Sequence, residues 1–127
     1  MVHRSRFSTL LVDVPRAEAA RAVGFWSAAL GTGAEPEPGQ PQFVSLPGAF
    51  PGLVVAVQAL EEGQARFHVD VETDDVAAET ARLTALGAVE VSAWEGCRTL
   101  RAPGGHLLCV IPVHDPAGFA QHATTWT

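Results

Sequence analysis

The sequence predicts an α+β fold in which one strand–helix–three-strand unit is used twice. Three observations carry that prediction: an internal repeat, a helical stripe after each copy of its opening strand, and short alternating strands punctuated by glycine and proline. The repeat is read from Leu10-Leu11-Val12-Asp13-Val14 and Phe67-His68-Val69-Asp70-Val71, which set an aspartate at the same point 57 residues apart. Each run is followed by an alanine-rich stretch ending in Leu-Gly, at Leu30-Gly31 and Leu86-Gly87. Two elements in the same order at nearly the same offset argue for duplication of one supersecondary unit.

Each element has a local reason. After the first strand, Ala19, Ala22, Val23, Trp26 and Leu30 fall on one stripe at three- and four-residue steps, which is helical spacing. Pro15 precedes that helix, and Gly31 can take the left-handed stop. After the second strand, Asp74 or Asp75 can cap a helix whose face carries Val76, Thr80, Leu83 and Leu86, with Gly87 as its stop. Strands are expected at Gln42–Leu46 and Gly52–Leu60 in the first copy. The second copy offers Val89–Ala93, Cys97–Ala102 and His106–Pro112. Pro47-Gly48, Glu95-Gly96 and Pro103-Gly104-Gly105 supply the turns. A strand near Gly33–Glu35 follows from the repeat alone. Residues 114–127 read as a loop or short helix packed on the surface or on a dimer mate.

The totals set the bounds. A chain of 127 residues, 47% hydrophobic, can build one domain with a core. The expected division is a first module at about residues 6–60, a second at about 65–113, and the tail. The net charge is −6, and Arg4 and Arg6 form too short a basic run to follow phosphates. Nucleic acid is therefore not an expected partner. No stretch is apolar enough to span a bilayer, so no membrane role is expected. Asp13 and Pro15 break the one N-terminal apolar run, which makes it a poor signal-peptide core. A cytoplasmic location is the expectation. Two cysteines, Cys97 and Cys109, make no disulfide framework.

Alternation across the strands decides which face carries chemistry. Phe67, Val69 and Val71 point one way; Arg66, His68, Asp70 and Glu72 point the other. In the first strand Leu10, Val12 and Val14 match the helix-facing set, and Leu11 and Asp13 the other. A cavity on that second face would be lined by Leu11, Asp13, His68 and Asp70, with Ala56 and Gln58 from the strand that ends the first copy. Leu107 and Cys109 would come from the strand that ends the second. Such a mixture of apolar walls and a few fixed polar groups suits a small molecule.

At this point a family comes into view. Asp13-Val14-Pro15 through Phe25-Trp26-Ser27-Ala28-Ala29-Leu30-Gly31 resembles the opening strand and helix of glyoxalase-like proteins, of the glyoxalase/bleomycin-resistance/dioxygenase (vicinal oxygen chelate) superfamily. Phe67-His68-Val69-Asp70 with Asp74-Asp75 and Leu86-Gly87-Ala88 resembles the second opening. Pro103-Gly104-Gly105-His106-Leu107-Leu108-Cys109-Val110 resembles the closing hairpin and strand. The likeness spans nearly the whole chain. It implies two βαβββ modules forming a curved mixed sheet with a cavity, helices on the outer face, and a homodimer. It also implies, in many members, a divalent metal held by four side chains. Those places fall on Leu11, Gln58 (or Ala56), His68 and Cys109. Leucine ligates nothing and Gln58 offers only a neutral oxygen, so a metal is not expected; any ion would find only His68, Gln58 and Cys109.

His68 is the strongest catalytic candidate, because face pattern and family position agree and its titration range suits acid–base work. Asp70 shares its face and can orient the imidazole, act as a base, or simply pair with an arginine such as Arg66. Cys109 serves as a small apolar wall or, less readily, as a thiol beside His68. Trp94 and Phe50 sit beside turns, where they can close a cavity mouth or pack as loop residues. His106 suits a turn role.

The expected function is a glyoxalase-like protein that binds a small molecule in a sheet-lined cavity, with metal-independent acid–base chemistry at His68. Two alternatives stand beside it: a divalent-metal-dependent lyase or isomerase, and a resistance protein that sequesters a drug without turnover. A partner-binding module that keeps only the fold also remains, since fold alone does not choose.

Overall fold

A computed structural model describes residues 2–127 of the chain. They form β1 (His3–Pro15), α1 (Ala19–Leu30), β2 (Glu35–Glu37), β3 (Gln40–Ser45), β4 (Val54–Leu60), β5 (Arg66–Thr73) and α2 (Val76–Ala85). Then come β6 (Val89–Trp94), β7 (Cys97–Arg101), β8 (Leu107–Pro112), α3 (Pro116–His122) and β9 (Thr124–Trp126). The order strand, helix, three strands therefore occurs twice, as the repeat predicts, in a mixed α+β architecture. Among the described residues no helix is long and apolar enough to cross a membrane.

The chain divides into two compact units, residues 9–68 and residues 69–127 with the N-terminal segment through Ser8. In the first unit the strand order is β2-β3-β4-β1, with β1 and β4 parallel and the other pairs antiparallel. Val12, Val14, Val55, Val57 and Leu46 form the core, and Ala19, Ala22, Val23 and Trp26 of α1 pack on it. The helix stripe thus meets the even-numbered face of β1. Leu30, the last residue of the expected stripe, is 43% exposed instead. Gly31 follows at φ 68° and donates its N–H to the Ala28 carbonyl. That left-handed conformation favours glycine and ends the helix.

In the second unit the order is β1-β5-β8-β7-β6, and β9 lies on the other side of β1. Here β5 and β8 are parallel and the β8-β7-β6 meander is antiparallel. Val71, Leu100, Leu108 and Val110 form the core under Val76 and Leu83 of α2. Asp75, not Asp74, caps α2 by accepting the Ala78 N–H at 3.0 Å. Asp74 instead accepts the Arg4 N–H at 2.8 Å, the main reason its carboxyl lies below the usual range.

One expectation is corrected here and one extended. The first strand is longer than the repeat suggests. Arg6 is buried in an ion pair with Glu72 at 2.7 Å, and its second nitrogen meets Asp115 at 3.2 Å. The Arg6 charge is thus neutralised by partners from distant segments. The tail holds the expected short helix and, after it, a strand. Asp115 caps α3 through the Gly118 N–H, Phe119 is buried, and β9 pairs antiparallel with His3–Ser5.

Candidate functional site

In residues 9–68 the parallel register sets Leu11 opposite Ala56 and Asp13 opposite Gln58. Residues paired across strands project on the same side of the sheet. The α1-free face of this unit therefore carries Leu11, Asp13, Ala56 and Gln58, with Phe43 and Ser45 opposite the last two on β3. Leu11, Ala56 and Asp13 are buried. A buried carboxylate must be paired or hydrogen-bonded to persist.

Asp13 is held by the start of β5. His68 Nδ1 lies 2.5 Å from Asp13 Oδ2, and Arg66 donates its Nε–H to the same oxygen at 3.2 Å. An ionised carboxylate only accepts, so Nδ1 is the donor in this contact. The other carboxylate oxygen, Asp13 Oδ1, is buried and accepts from no group among the described residues. Leaving such an atom unbonded costs about 1–3 kcal/mol.

The remaining candidates lie in the second unit. Asp70 stands opposite Cys109 in the β5–β8 register, and Cys109 opposite Thr99 on β7. Cys109 Sγ is 3.5 Å from Thr99 Oγ1, which accepts the Trp94 indole N–H at 3.2 Å. The register row is thus Ser92, Thr99, Cys109 and Asp70, and Trp94, opposite Cys97, reaches it through its indole N–H. Leu107 stands opposite Arg101 at the start of β8. Cys97 is buried, and burial pushes its thiol up, away from a reactive thiolate.

From the sequence, Asp70 can orient the imidazole, act as a base, or pair with an arginine such as Arg66. In the structure Asp13 holds His68 Nδ1, and Arg66 meets Asp13 as well. Asp13 is separated from both by more than 50 positions in the chain, and no local spacing signals their meeting. Glu72, on the His68 face by alternation, is structural. Its Oε1 pairs with Arg6, and its Oε2 accepts the N–H groups of His114 and Asp115 at 3.0 and 3.3 Å.

The donor chemistry does not fit a resident metal at the four family positions. Leu11 has no lone pair, Gln58 is a neutral amide, and one imidazole nitrogen of His68 is engaged by Asp13. Structural and catalytic metal sites need three or four good donors.

The profile of a family described as Glyoxalase-like domain matches residues 9–111. Similar solved structures include a hypothetical protein of Bacillus halodurans, at 12% identity over 87% of this chain and 96% of that one, TM-score 0.61. Another is an NAD-dependent benzaldehyde dehydrogenase from Legionella pneumophila, at 15% identity over 83% and 97%, TM-score 0.59. A third is a variant of Streptomyces coelicolor methylmalonyl-CoA epimerase in complex with 2-nitronate-propionyl-CoA, at 14% identity over 87% and 98%, TM-score 0.52. At these identities the likeness is one of fold. No curated protein matches the sequence at a significant level.

Proposed function

The chain belongs to the glyoxalase-like domain family, and from that premise we propose that it binds a small molecule on the sheet face carrying His68 and Asp13. His68 then moves a proton to or from that molecule without a metal. The observation that carries this reading is the buried Asp13 carboxylate on His68 Nδ1. It fixes the tautomer and ring orientation and stabilises the imidazolium that forms when Nε2 takes a proton. Asp13 Oδ1, buried and without a protein donor among the described residues, supplies an acceptor for a ligand hydroxyl or amide on the same face. Leu11 and Ala56 supply apolar wall.

The substrate class that suits one acid–base group is a carbonyl compound with an acidic neighbouring C–H. Its proton passes to Nε2 and returns to the same or the opposite side of the carbon. The Streptomyces epimerase, of the same fold, holds a CoA compound, which makes acyl thioesters a first set of probes. The test is solvent-deuterium exchange followed by NMR on a panel of acyl thioesters and 2-oxo acids. Exchange catalysed by the wild type should fall by about 100-fold or more in His68→Gln. Equal exchange by both proteins would remove His68 from the chemistry. Tight binding with no exchange would favour sequestration without turnover.

A second reading, a divalent-metal lyase or isomerase, has one observation in its favour. Asp70 and Cys109 set a carboxylate opposite a thiol, and His68 precedes Asp70 by two residues on the same face of β5. Metal analysis of protein purified without a histidine tag separates the readings. A stoichiometric divalent ion that is lost in His68→Ala would favour this one.

A further inference from the structure

Within residues 2–8 and 69–127 a cavity of about 460 Å³ lies beside α2, on the helix side of the sheet. Ligand pockets typically measure about 300–1,000 Å³. Its walls are mostly carbon: Phe7, Val69, Leu83, Leu86, Leu108 and the Trp126 ring. Phe7 and Leu86 are 63% and 67% exposed, so the mouth itself is apolar.

One polar cluster borders this cavity. Glu79 is completely buried. Its Oε1 meets His3 Nε2 and the Arg82 Nε–H, each at 2.8 Å, and its Oε2 accepts from Arg82 Nη2 at 2.9 Å. Burial opposes the charge, but hydrogen bonds from Arg82, Ser5 and His3 outweigh it and hold the carboxyl below its usual range. Glu79 therefore stays ionised with both oxygens occupied, and has nothing to offer a cation. Arg82 has more to give. Its guanidinium lies 3.7 Å over the Trp126 ring, and the indole N–H is anchored on Ser5 Oγ at 2.9 Å. Two of the five guanidinium N–H donors meet Glu79, which leaves the Nη1 edge to donate. Thr124 adds a hydroxyl to the same lining.

We propose that this cavity is a second ligand site that takes a small amphipathic carboxylate. Its head group accepts from Arg82 Nη1, and its hydrocarbon tail lies along Val69 and Leu83 to cover Phe7 and Leu86. The buried Glu79 and the stacked Trp126 fix the guanidinium in advance, so little ordering accompanies binding. The site is separate in residues from the His68–Asp13 pair and does not depend on the function proposed for that pair.

Calorimetric titration of the full chain with sodium octanoate and with octanamide tests this. Octanoate should bind saturably at one site, with octanamide weaker by about tenfold or more. The double variant Phe7→Ser, Leu86→Ser changes only exposed side chains. It should keep the wild-type circular dichroism and weaken octanoate by about tenfold or more, whereas His68→Gln should leave octanoate binding unchanged. The proposal falls if octanoate gives no saturable heat or if octanamide binds as tightly. It falls equally if the double variant binds like the wild type, including the case where it merely turns a dimer into a monomer, or if His68→Gln abolishes binding.

Discussion

The two copies of the repeated strand use the same aspartate differently. In residues 9–68, Asp13 is fully buried, holds His68 and Arg66 on one oxygen, and leaves the other without a partner among the described residues. In the second unit, Asp70 stands half-buried opposite Cys109, and the buried carboxylate of the same strand is Glu72, two positions on. Glu72 has both oxygens occupied, by Arg6 and by two backbone N–H groups. A buried carboxylate whose partners are complete belongs to the scaffold. One that is held from a single side, beside an imidazole, is where a ligand can complete the bonding.

The comparison is broken most severely at Glu72. Glu72→Ala leaves Arg6 buried without its main partner, and should lower stability by about 3–5 kcal/mol in urea unfolding. A loss below about 1 kcal/mol, the range of exposed pairs, would show that Glu72 is no more structural than Asp13. At Asp13 the balance should invert. Asp13→Asn removes a half-bonded buried charge while keeping the shape, so stability should change by only about 1 kcal/mol. Proton exchange on a responsive substrate should nonetheless fall by about 100-fold, because the amide no longer stabilises the imidazolium. Parallel losses of stability and exchange would erase the distinction between the two carboxylates.

Glu79 sharpens the comparison through pH. Its carboxyl is depressed in the folded protein. Its contribution is therefore fully present above the unfolded-state carboxylate pKa and disappears as pH falls through the lower folded-state value. The stability difference between wild type and Glu79→Gln should accordingly shrink on acidification below the ordinary carboxylate range. A difference constant with pH would mean that its hydrogen bonds do not favour the ionised form. The smallest effect is expected at Leu86, where Leu86→Ser should alter stability by less than about 0.5 kcal/mol, because the side chain is 67% exposed.

Much of the fold was legible because its signals are local. The period-two split that sets Val12 and Val14 apart from Leu11 and Asp13 matches the core of the first unit. The Ala22, Val23 and Trp26 stripe, the Asp75 cap and the Gly31 stop need only nearby residues. What stayed hidden depends on partners far along the chain. The N-terminal half of β1 looks polar until Arg4 and Arg6 meet Asp74, Glu72 and Asp115. The strand that ends the tail carries no local signal; it is held where Trp126 meets Arg82 and Ser5. Helical stripes mark a direction but not where the sheet beneath ends, which is why Leu30 and Leu86 lie exposed. The pairing of His68 with Asp13 joins residues 55 positions apart, and alternation within β5 points only to Asp70.

The most direct measurement is the imidazole nitrogen spectrum of His68 in 15N-labelled protein, with Asp13→Asn alongside. The geometry predicts that neutral His68 carries its proton on Nδ1 and its lone pair on Nε2, and that Asp13→Asn weakens this preference. A neutral ring protonated on Nε2, or a tautomer indifferent to Asp13→Asn, would contradict the assignment of this pair as the proton-transfer unit.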